Sequence, residues 1–304
     1  AGADYRPFRL ASETERVPPF VVDVGDAEED RTWRLLAAHP AVRPDRLELE
    51  VLETSALIDI GHVSAVIGAC AQMGVSFALD DFGTGYSSLT YLKRLPARAL
   101  KIDQSFVRDM LDDPDDLAIM EGVLGLAAAF NLAAVAEGVE TVAHGETLLR
   151  LGCELAQGYG IARPMPAADL PGWQAGWQPD PLWSQTPRLG RDHLPVLFAG
   201  SEHRAWIRAL GEHLDGLRDA PPPLKHDQCR FGQWLDSSRE RRQPRHAGIF
   251  ADIETLHRQV HEQGIDLIGL RSHGRNTEAH AGLTGLHKVR DDLLAQLRHL
   301  LIEA

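Results

Sequence analysis

Cysteine, long apolar runs and positive charge are all scarce in this sequence. The three cysteines, Cys70, Cys153 and Cys229, form an odd and widely spaced set, which argues against a scaffold held by disulfides. No apolar run reaches the ~18 residues that a membrane-spanning helix needs, and no signal peptide is visible. We therefore expect a cytoplasmic protein without a membrane span.

The charge balance restricts the partners of the chain. Its 31 Lys and Arg residues face 44 Asp and Glu residues, which gives a net charge of −13. General binding of a nucleic-acid polymer through an electropositive surface is therefore not expected.

With 304 residues, of which 44% are hydrophobic, the chain is long enough for two cores. Most of its 14 histidines follow residue 190, so the chemistry is expected to change between the two halves.

Strand-like runs and helical patterns alternate through the first half. The strand-like runs cover residues 20–24, 47–52, 75–79, 99–102, 132–136 and 155–159, and a helix through Trp33 follows the first. Helical patterns lie between the later runs, at 57–73, 87–94, 114–130 and 141–151. Strands that alternate with amphipathic helices predict βαβ units and a parallel sheet.

Charged or amide side chains stand at the end of five successive strands. They are Glu50 and Glu53, Asp80 and Asp81, Lys101 and Asp103, Glu137 and Glu140, and Gln157. The carboxyl ends of parallel strands meet at one rim, where the active sites of (β/α) barrels lie. Two adjacent carboxylates are costly there unless a cation or a proton shares the site, so Asp80 and Asp81 favour a hard divalent metal. For this pair alone, an Asp-rich turn that caps a helix is the alternative interpretation.

Five segments of the first half resemble the EAL family. In chain order they are ELEVLET, LDDFGTGYSSL, LKIDQSFV, AEGVET and AQGYGIARPMP, and they lie roughly between residues 40 and 168. EAL domains are barrel-type, metal-dependent phosphodiesterases that open cyclic di-GMP to the linear dinucleotide. The resemblance therefore implies a (β/α) TIM-like barrel, a hydrolase activity, cyclic di-GMP as the ligand, and Mg²⁺ or Mn²⁺ as the cofactor.

The resemblance also implies roles for individual residues. The metal ligands would be Glu50, Asp80 and Asp81, with Glu137 at the metal site and Glu140 and Gln157 in support. Lys101 would hold the attacking water or a phosphate oxygen, and it should stay charged beside the carboxylates. Glu53 and the loop at 82–89 would couple the site to dimerisation. Hydrolysis of this kind uses two metals about 4 Å apart, which activate the nucleophile and neutralise the phosphate.

Parts of the EAL pattern are missing from the chain. The tripeptide that names the family does not occur, so its metal-ligating glutamate has no counterpart, and Asp23 replaces the family's asparagine. The segment Tyr5–Phe8 resembles the family's opening YQPI, which places the loss inside the chain. A (β/α)₈ barrel needs at least 200 residues, whereas only about 170 are available here. We therefore expect a shortened barrel, weakened metal binding and a degenerate enzyme.

Proline and tryptophan dominate the segment after the barrel. Residues 166–200 carry Pro166, Pro171, Pro179, Pro181, Pro187 and Pro195, with Trp173, Trp177 and Trp183 between them. Because such proline density breaks periodic structure, residues 179–200 are predicted to be a linker between a barrel domain at 1–178 and a second domain at 201–304. The tryptophans are expected to pin this segment to a domain, with stacking on a carbohydrate or nucleotide as the alternative.

The second domain is predicted to be an antiparallel four-helix bundle. Helical patterns cover residues 201–218, 225–238, 246–271 and 276–303 with short connections. His257 and His261 share one face of the third helix because they are four residues apart, a spacing that suits zinc. For two histidines alone, exposed or hydrogen-bonded core residues are the alternative.

The second half resembles the chemoreceptor zinc-binding family. The residues that carry the resemblance are His203, an HxxCxxGxW motif from His226 to Trp234, and an HxxxH motif from His257 to His261. The resemblance implies that His203, Cys229, His257 and His261 bind Zn²⁺. One thiolate and three imidazoles form a closed set, typical of a structural or sensory site. Zinc occupancy, or oxidation of Cys229, would then act as a switch, and both resemblances imply a homodimer.

Three hypotheses follow from the sequence. In the first, the protein is a cyclic di-GMP phosphodiesterase regulated by a zinc-sensing or redox-sensing bundle. In the second, the barrel domain binds the nucleotide or a partner without hydrolysis, and zinc controls assembly of this scaffold. In the third, the chain is a fragment or deletion variant of a longer, active protein.

Overall fold

The computed structural model describes residues 34, 36–54, 60–84, 92–93, 95–241 and 244–303. The chain forms two compact units. The first comprises residues 1–109 and 118–188, and the second comprises residues 110–117 and 189–304. The strand and helix predicted within residues 20–33, including Asp23, lie outside the described residues, as do the Tyr5–Phe8 segment and most of the helix predicted at 87–94.

The first unit is built on a five-stranded parallel sheet. Its strands are β1 (Glu48–Leu52), β2 (Ser76–Phe82), β3 (Ala99–Ile102), β4 (Ala133–Ala136) and β5 (Leu155–Ala156). They neighbour one another in chain order, and every pair is parallel. The helices between them are α1 (Ile60–Gln72), α2 (Gln104–Asp109), α3 (Pro114–Ala129) and α4 (Val142–Leu151). The predicted βαβ arrangement is therefore confirmed, and it fits a shortened TIM-like barrel.

The first three strands bury most of their apolar residues. Leu49, Val51, Phe77 and Leu79 are almost fully buried, and all four residues of β3 are buried. Continuous apolar runs of this kind are typical of parallel strands packed between helices. The polar residues therefore concentrate where the strands end.

Helix α4 is covered by the segment that follows the barrel. The helix is buried from His144 to Leu151, and its charged residues Glu146 and Arg150 form an ion pair of 2.6 Å. Trp183, from α6 (Pro181–Gln185), is 3% exposed and donates its indole N–H to the carbonyl oxygen of Val142 at 2.9 Å. The proline-rich segment thus contributes to the core of the first unit.

This segment contains more helix than its proline content predicts. Besides α5 (Leu170–Gly176) and α6, it holds the start of α7 (Leu194–Leu214), which begins at Leu194 and not near residue 201. In α6 and α7 a proline occupies one of the first two helical positions. At these positions a backbone N–H has no carbonyl partner within the helix, so proline loses no hydrogen bond there. The fixed φ angle of proline also favours the helix. The prolines therefore start these helices and do not prevent them.

The second unit is a helical bundle. Helix α7 is followed by α8 (Arg230–Ser238), α9 (Ala247–Ser272) and α10 (Asn276–Glu303). The bundle core includes Ile207, Phe231, Ile253, Leu286 and Leu293. Helices α9 and α10 pack against each other and are joined by a short turn at 273–275. The predicted class, a shortened barrel followed by a helical bundle, is therefore confirmed, although α8 begins at Arg230, later than its pattern suggests. No helix among the described residues is both long and apolar enough to cross a lipid bilayer.

Candidate metal centres

Four strands of the first unit bring charged side chains to one rim of the sheet. Lys101, on β3, lies in the middle. Its Nζ atom is 2.9 Å from an oxygen of Glu50, 2.9 Å from an oxygen of Asp80 and 2.6 Å from an oxygen of Glu137. We name Glu50, Asp80, Asp81, Lys101 and Glu137 the carboxylate centre. The structure thus brings together the acidic strand ends and the lysine that the sequence places there.

The ammonium group of Lys101 is held in its charged form. Lys101 is 7% exposed, and burial alone would lower its pKa. The hydrogen bonds that its ammonium donates to Glu137, Glu50 and Asp80 outweigh burial and raise the pKa of Lys101 above its ordinary value. The side chain therefore stays protonated at neutral pH, as expected from the sequence.

Asp80 and Asp81 reach the same site although they are neighbours on one strand. Successive side chains of a regular strand point to opposite faces. The pairing of β2 with β3 shifts between Leu79 and Phe82, and Asp81 has a φ angle of 53°, in the left-handed region. One carboxylate oxygen from each of Asp80, Asp81 and Glu137 lies within 4.8 Å of the others. The irregular end of β2 therefore turns two adjacent carboxylates toward one centre.

The electrostatics of this group favour an added cation or proton. Burial, together with the negative charges of Asp80 and Asp103, raises the pKa of Asp81. Burial also raises the pKa of Glu137, in opposition to Lys101. Among the described residues, the candidate ligand atoms of Asp80, Asp81 and Glu137 are carboxylate oxygens, the donors that hard divalent cations prefer. The residues thus fit a divalent metal at Asp80, Asp81 and Glu137.

The remaining predicted residues of the rim differ in their placement. The side-chain N–H of Gln157 donates to an oxygen of Glu137, so Gln157 orients that carboxylate. Glu140 is exposed and, among the described residues, lies outside the carboxylate centre, while its backbone N–H donates to Nδ1 of His144 at 3.4 Å. Glu53 is fully buried and accepts the backbone N–H of Gly83 at 2.8 Å. Glu53 therefore holds the start of the loop after β2, whose residues 85–89 lie outside the described residues.

Three helices of the second unit contribute a separate group of metal-binding side chains. His203 comes from α7, Cys229 lies directly before α8, and His257 and His261 come from α9. One ligand atom from each of the four lies within 4.8 Å of the others. We name these four residues the His–Cys cluster. The structure brings together all four residues that the zinc-binding resemblance implies.

The hydrogen bonds of the cluster leave its imidazole nitrogens available. Nδ1 of His203 lies 2.6 Å from the carbonyl oxygen of Ala199, and Nδ1 of His261 lies 2.9 Å from that of Leu224. Each Nδ1–H therefore donates to a backbone carbonyl, which leaves the lone pair on Nε2. Both Nε2 atoms are buried, and neither has a hydrogen-bond partner in the described part of the chain. Such buried, unpaired acceptors are unfavourable unless a metal binds them.

The protonation states of the three histidines also suit a metal. Burial lowers the pKa of His203 to about 4 and that of His257 to about 2, and it lowers the pKa of His261 as well. All three rings are thus neutral at pH 7, as metal ligands must be. Sγ of Cys229 lies 3.2 Å from Nε2 of His257. Burial raises the pKa of this thiol, so a metal that binds Cys229 would have to displace its proton. The cluster therefore fits a divalent metal that accepts sulfur and nitrogen ligands.

The local sequence fixes the position of Cys229. The backbone N–H of Gly232 donates to Sγ of Cys229 at 3.2 Å, and the thiol itself donates to the carbonyl oxygen of His226 at 3.3 Å. A Cβ atom on Gly232 would lie only 1.9 Å from that carbonyl oxygen, so a glycine is required there. His226 thus acts through its backbone. Its ring lies 6.1 Å from the ring of His257 and is not part of the cluster.

Two residues near these centres were given no specific role by the sequence. Asp103, which the sequence places at the rim with the other charged strand ends, lies beside Asp81 and accepts the backbone N–H of Ser105 at 2.9 Å, so it starts α2. Its place at the rim was visible in the sequence, but its contact with Asp81 was not. Trp206 packs against His261 with 4.8 Å between the ring centroids. Its place one helical turn after His203 is the corresponding signal.

Comparison with known proteins identifies two families. The family model of the EAL domain matches residues 29–164, and that of the chemoreceptor zinc-binding domain matches residues 203–268. The chain is 48% identical over 130 residues to the bifunctional diguanylate cyclase/cyclic di-GMP phosphodiesterase MucR of Pseudomonas aeruginosa, which is 43% of this chain and 19% of that protein. It is 44% identical over 124 residues to the cyclic di-GMP phosphodiesterase NbdA of the same organism, which is 41% of this chain and 16% of that protein.

Solved structures also match the first half. The chain is 42% identical to the MucR phosphodiesterase in complex with c-di-GMP, with a TM-score of 0.48, over 50% of this chain and 64% of that one. It is 37% identical to the EAL domain of Mycobacterium smegmatis DcpA, with a TM-score of 0.48, over 52% of this chain and 73% of that one. The matched stretch spans less than a fifth of the length of either curated relative, 19% and 16%. The chain contains an EAL domain at residues 29–164 followed by a chemoreceptor zinc-binding domain at residues 203–268.

Proposed function

We propose that the protein acts in cyclic di-GMP signalling, with an EAL-type phosphodiesterase domain regulated by a zinc-sensing bundle. The observation that carries this proposal is the carboxylate centre, where Glu50, Asp80, Lys101 and Glu137 meet within ion-pair distance. The relatives named above include cyclic di-GMP phosphodiesterases, which supports the choice of ligand.

The residues of the centre have distinct tasks in this proposal. Glu50, Asp80, Asp81 and Glu137 would hold Mg²⁺ or Mn²⁺, which when bound supplies the activated water and neutralises the phosphate. The ammonium of Lys101 now faces Glu50, Asp80 and Glu137, and it would hold the attacking water or a phosphate oxygen once a metal binds those carboxylates. Gln157 keeps Glu137 oriented through its hydrogen bond, and exposed Glu140 supports the same edge. Glu53, bonded to the loop after β2, couples the site to a homodimer.

Hydrolysis of cyclic di-GMP tests the proposed activity. The purified chain is incubated with cyclic di-GMP and Mg²⁺ or Mn²⁺, and the linear product is followed by chromatography. Asp80→Asn is expected to abolish product formation. Asp169→Asn is the matched control and should retain it, because Asp169 is exposed and makes no side-chain capping bond. Product that persists in Asp80→Asn would contradict the assignment of the centre.

The second domain is proposed to bind Zn²⁺ through His203, Cys229, His257 and His261. A thiolate and three imidazoles prefer zinc to magnesium, and four protein ligands leave no open position for catalysis. Zinc would therefore be a structural or sensory ligand whose binding is coupled to the packing of α7, α8 and α9.

Measuring the zinc content of variants tests whether these four residues bind zinc. The protein as purified with zinc is expected to hold one zinc per chain, and Cys229→Ser combined with His257→Ala should lose it. His287→Ala is the control, because His287 is exposed on α10 and outside the cluster. An unchanged zinc content in the double variant would show that the ligand set is wrong.

A scaffold without hydrolysis is the second candidate function. Three carboxylates of the centre are already paired with Lys101, and the chain lacks the family's naming tripeptide and its glutamate. In this case no linear product forms, but cyclic di-GMP raises the melting temperature of the wild type and not that of Asp80→Asn. Light scattering with and without zinc tests whether the chain is a homodimer.

A further inference from the structure

Two pairs of residues face each other beside the His–Cys cluster. On α7, Trp206 follows His203 by three residues, and on α9, Gly264 follows His261 by three residues. Residues three apart lie on the same helical face, one turn along. Each helix thus contributes one histidine to the cluster. One turn further along, each helix contributes one of the two residues, Trp206 or Gly264, that contact each other.

Trp206 fills the space that Gly264 leaves open. A Cβ atom on Gly264 would lie 2.3 Å from the far edge of the Trp206 indole, at Cη2. The same indole packs against the ring of His261, with centroids 4.8 Å apart and an angle of 54° between the planes. The absent side chain at Gly264 is therefore what allows Trp206 to reach the histidine.

The same two rings hold adjacent carbonyl groups of the proline-rich segment before α8. The indole N–H of Trp206 donates to the carbonyl oxygen of Pro223 at 2.7 Å. Nδ1–H of His261 donates to the carbonyl oxygen of Leu224 at 2.9 Å. Five residues later this backbone delivers Cys229 to the cluster. One short segment is thereby tied both to a metal-binding histidine and to the tryptophan that packs on it.

We infer that Trp206 is a positioning residue for His261, and that Trp206, Gly264 and the backbone at 223–224 together preset the cluster for its metal. The indole restricts the tilt of the His261 ring, and the Leu224 carbonyl fixes its tautomer, so Nε2 points to the metal position before the metal arrives. A ligand held in its binding orientation loses less conformational freedom on binding. This inference rests on the proposed zinc binding.

The inference predicts how zinc affinity responds to substitutions that leave all four ligands in place. Zinc affinity is measured on the full chain by competition with a chromophoric chelator. Trp206→Phe is expected to weaken zinc binding by about tenfold, the lower end of the effect of residues that orient metal ligands. The intensity of the visible absorption bands of the Co²⁺-loaded protein should change as well, because it depends on the orientation of His261. A residue that contributes to stability alone would leave the cobalt bands unchanged, because their intensity depends on the geometry around the ion and not on the stability of the fold.

Gly264→Ala provides a second test through the same contact. Its methyl group would displace the indole, so we expect a similar loss of zinc affinity. In the Trp206→Phe background the shorter ring leaves room for the methyl group, and Gly264→Ala should then cost no further affinity. Gly269→Ala, on the same helix with open space around its Cβ position, is the matched control and should bind zinc like the wild type.

The outcomes separate this inference from the proposed function. If the wild type binds zinc and both Trp206→Phe and Gly264→Ala bind it equally well, the positioning role is overturned. If the two losses add fully in the double variant, the proposed contact is also wrong. If the wild type binds no zinc, the proposed zinc function itself fails.

Discussion

At the scale of single residues, Lys101 organises the carboxylate centre. One buried ammonium contacts three carboxylates from three different strand ends. Strand ends are visible in the sequence, so the meeting of Glu50, Lys101 and Glu137 could be predicted. The left-handed backbone of Asp81 could not, because aspartate adopts that conformation only occasionally and the sequence does not show at which residue the turn begins.

Replacing Lys101 should destabilise the first unit and change its response to metal. Lys101→Met leaves three partly or fully buried carboxylates without their cation, which costs about 3–5 kcal/mol for a broken buried ion pair. Mn²⁺ should then raise the melting temperature of Lys101→Met more than that of the wild type, because the carboxylates no longer have a competing ammonium. Exposed Lys93 supplies the control, Lys93→Met, with no expected change. Equal Mn²⁺ effects in both proteins would contradict the pairing.

His280 provides a test of pH dependence on the surface of the bundle. Nδ1 of His280 is hydrogen-bonded to the carbonyl oxygen of Asn276, and Nε2 lies 2.7 Å from a carboxylate oxygen of Asp215. These contacts raise the pKa of His280. A raised pKa means that the folded protein binds this proton more tightly than the unfolded chain. The stabilising effect is therefore present below pH ~6.5, the ordinary histidine pKa, and is lost as the pH rises through the raised value.

The measurement compares His280→Gln with the wild type across pH. The melting temperature of the wild type should exceed that of the variant by a small margin at pH 6, and the margin should vanish at pH 9. The margin is small because exposed ion pairs contribute little. A margin that grows with pH would reverse the proposed sign, and Asp215→Asn should reproduce the loss at pH 6.

At the scale of elements, the segment after the barrel is more ordered than its composition suggests. Helix α6 and the first turn of α7 contain prolines at positions that helices accept. The sequence predicts that tryptophans hold this segment against a domain, but it does not show which of them is buried. Burial of Trp183 depends on the space that Gly145 leaves open on α4. A Cβ atom at Gly145 would lie 2.4 Å from the indole nitrogen of Trp183.

Removal of Trp183 should therefore loosen the first unit. Trp183→Ala opens a cavity beside α4 and removes the hydrogen bond to Val142, and loss of a buried tryptophan of this kind costs about 3–5 kcal/mol. Urea unfolding checks the change in free energy. Trp177→Ala is the comparison, because Trp177 is only half-buried and should cost much less. Equal losses for the two variants would mean that α6 does not cover α4.

At the scale of the whole molecule, the chain divides into two compact units with different donor chemistry. Oxygen ligands lie in the first unit, and sulfur and nitrogen ligands lie in the second. This division could be predicted from motif order and from the change in histidine content. The boundary could not be located, because the prolines interrupt the periodic pattern: the second unit resumes at Leu189, and α7 begins at Leu194.

Selective removal of zinc should affect only one of the two units. A chelator with strong preference for zinc over magnesium is expected to lower the melting temperature of the bundle, because three of its helices lose their common ligand. The transition of the first unit should stay in place. Calorimetry with and without chelator measures both transitions, and a shift of both by the same amount would contradict this independence.

A metal ion bound to the His–Cys cluster would also crosslink parts of the bundle that are far apart in the sequence. Cys229 and His257 are 28 residues apart in the chain, and one bound ion would join them to each other and to α7. A disulfide stabilises a fold because it persists in the unfolded chain and restricts it. A metal crosslink is released when the bundle unfolds, so its effect follows the free concentration of its ligand: zinc at a hundred times its dissociation constant adds about 2.7 kcal/mol to the free energy of unfolding. The folded fraction of the bundle would then depend on how much free zinc surrounds it.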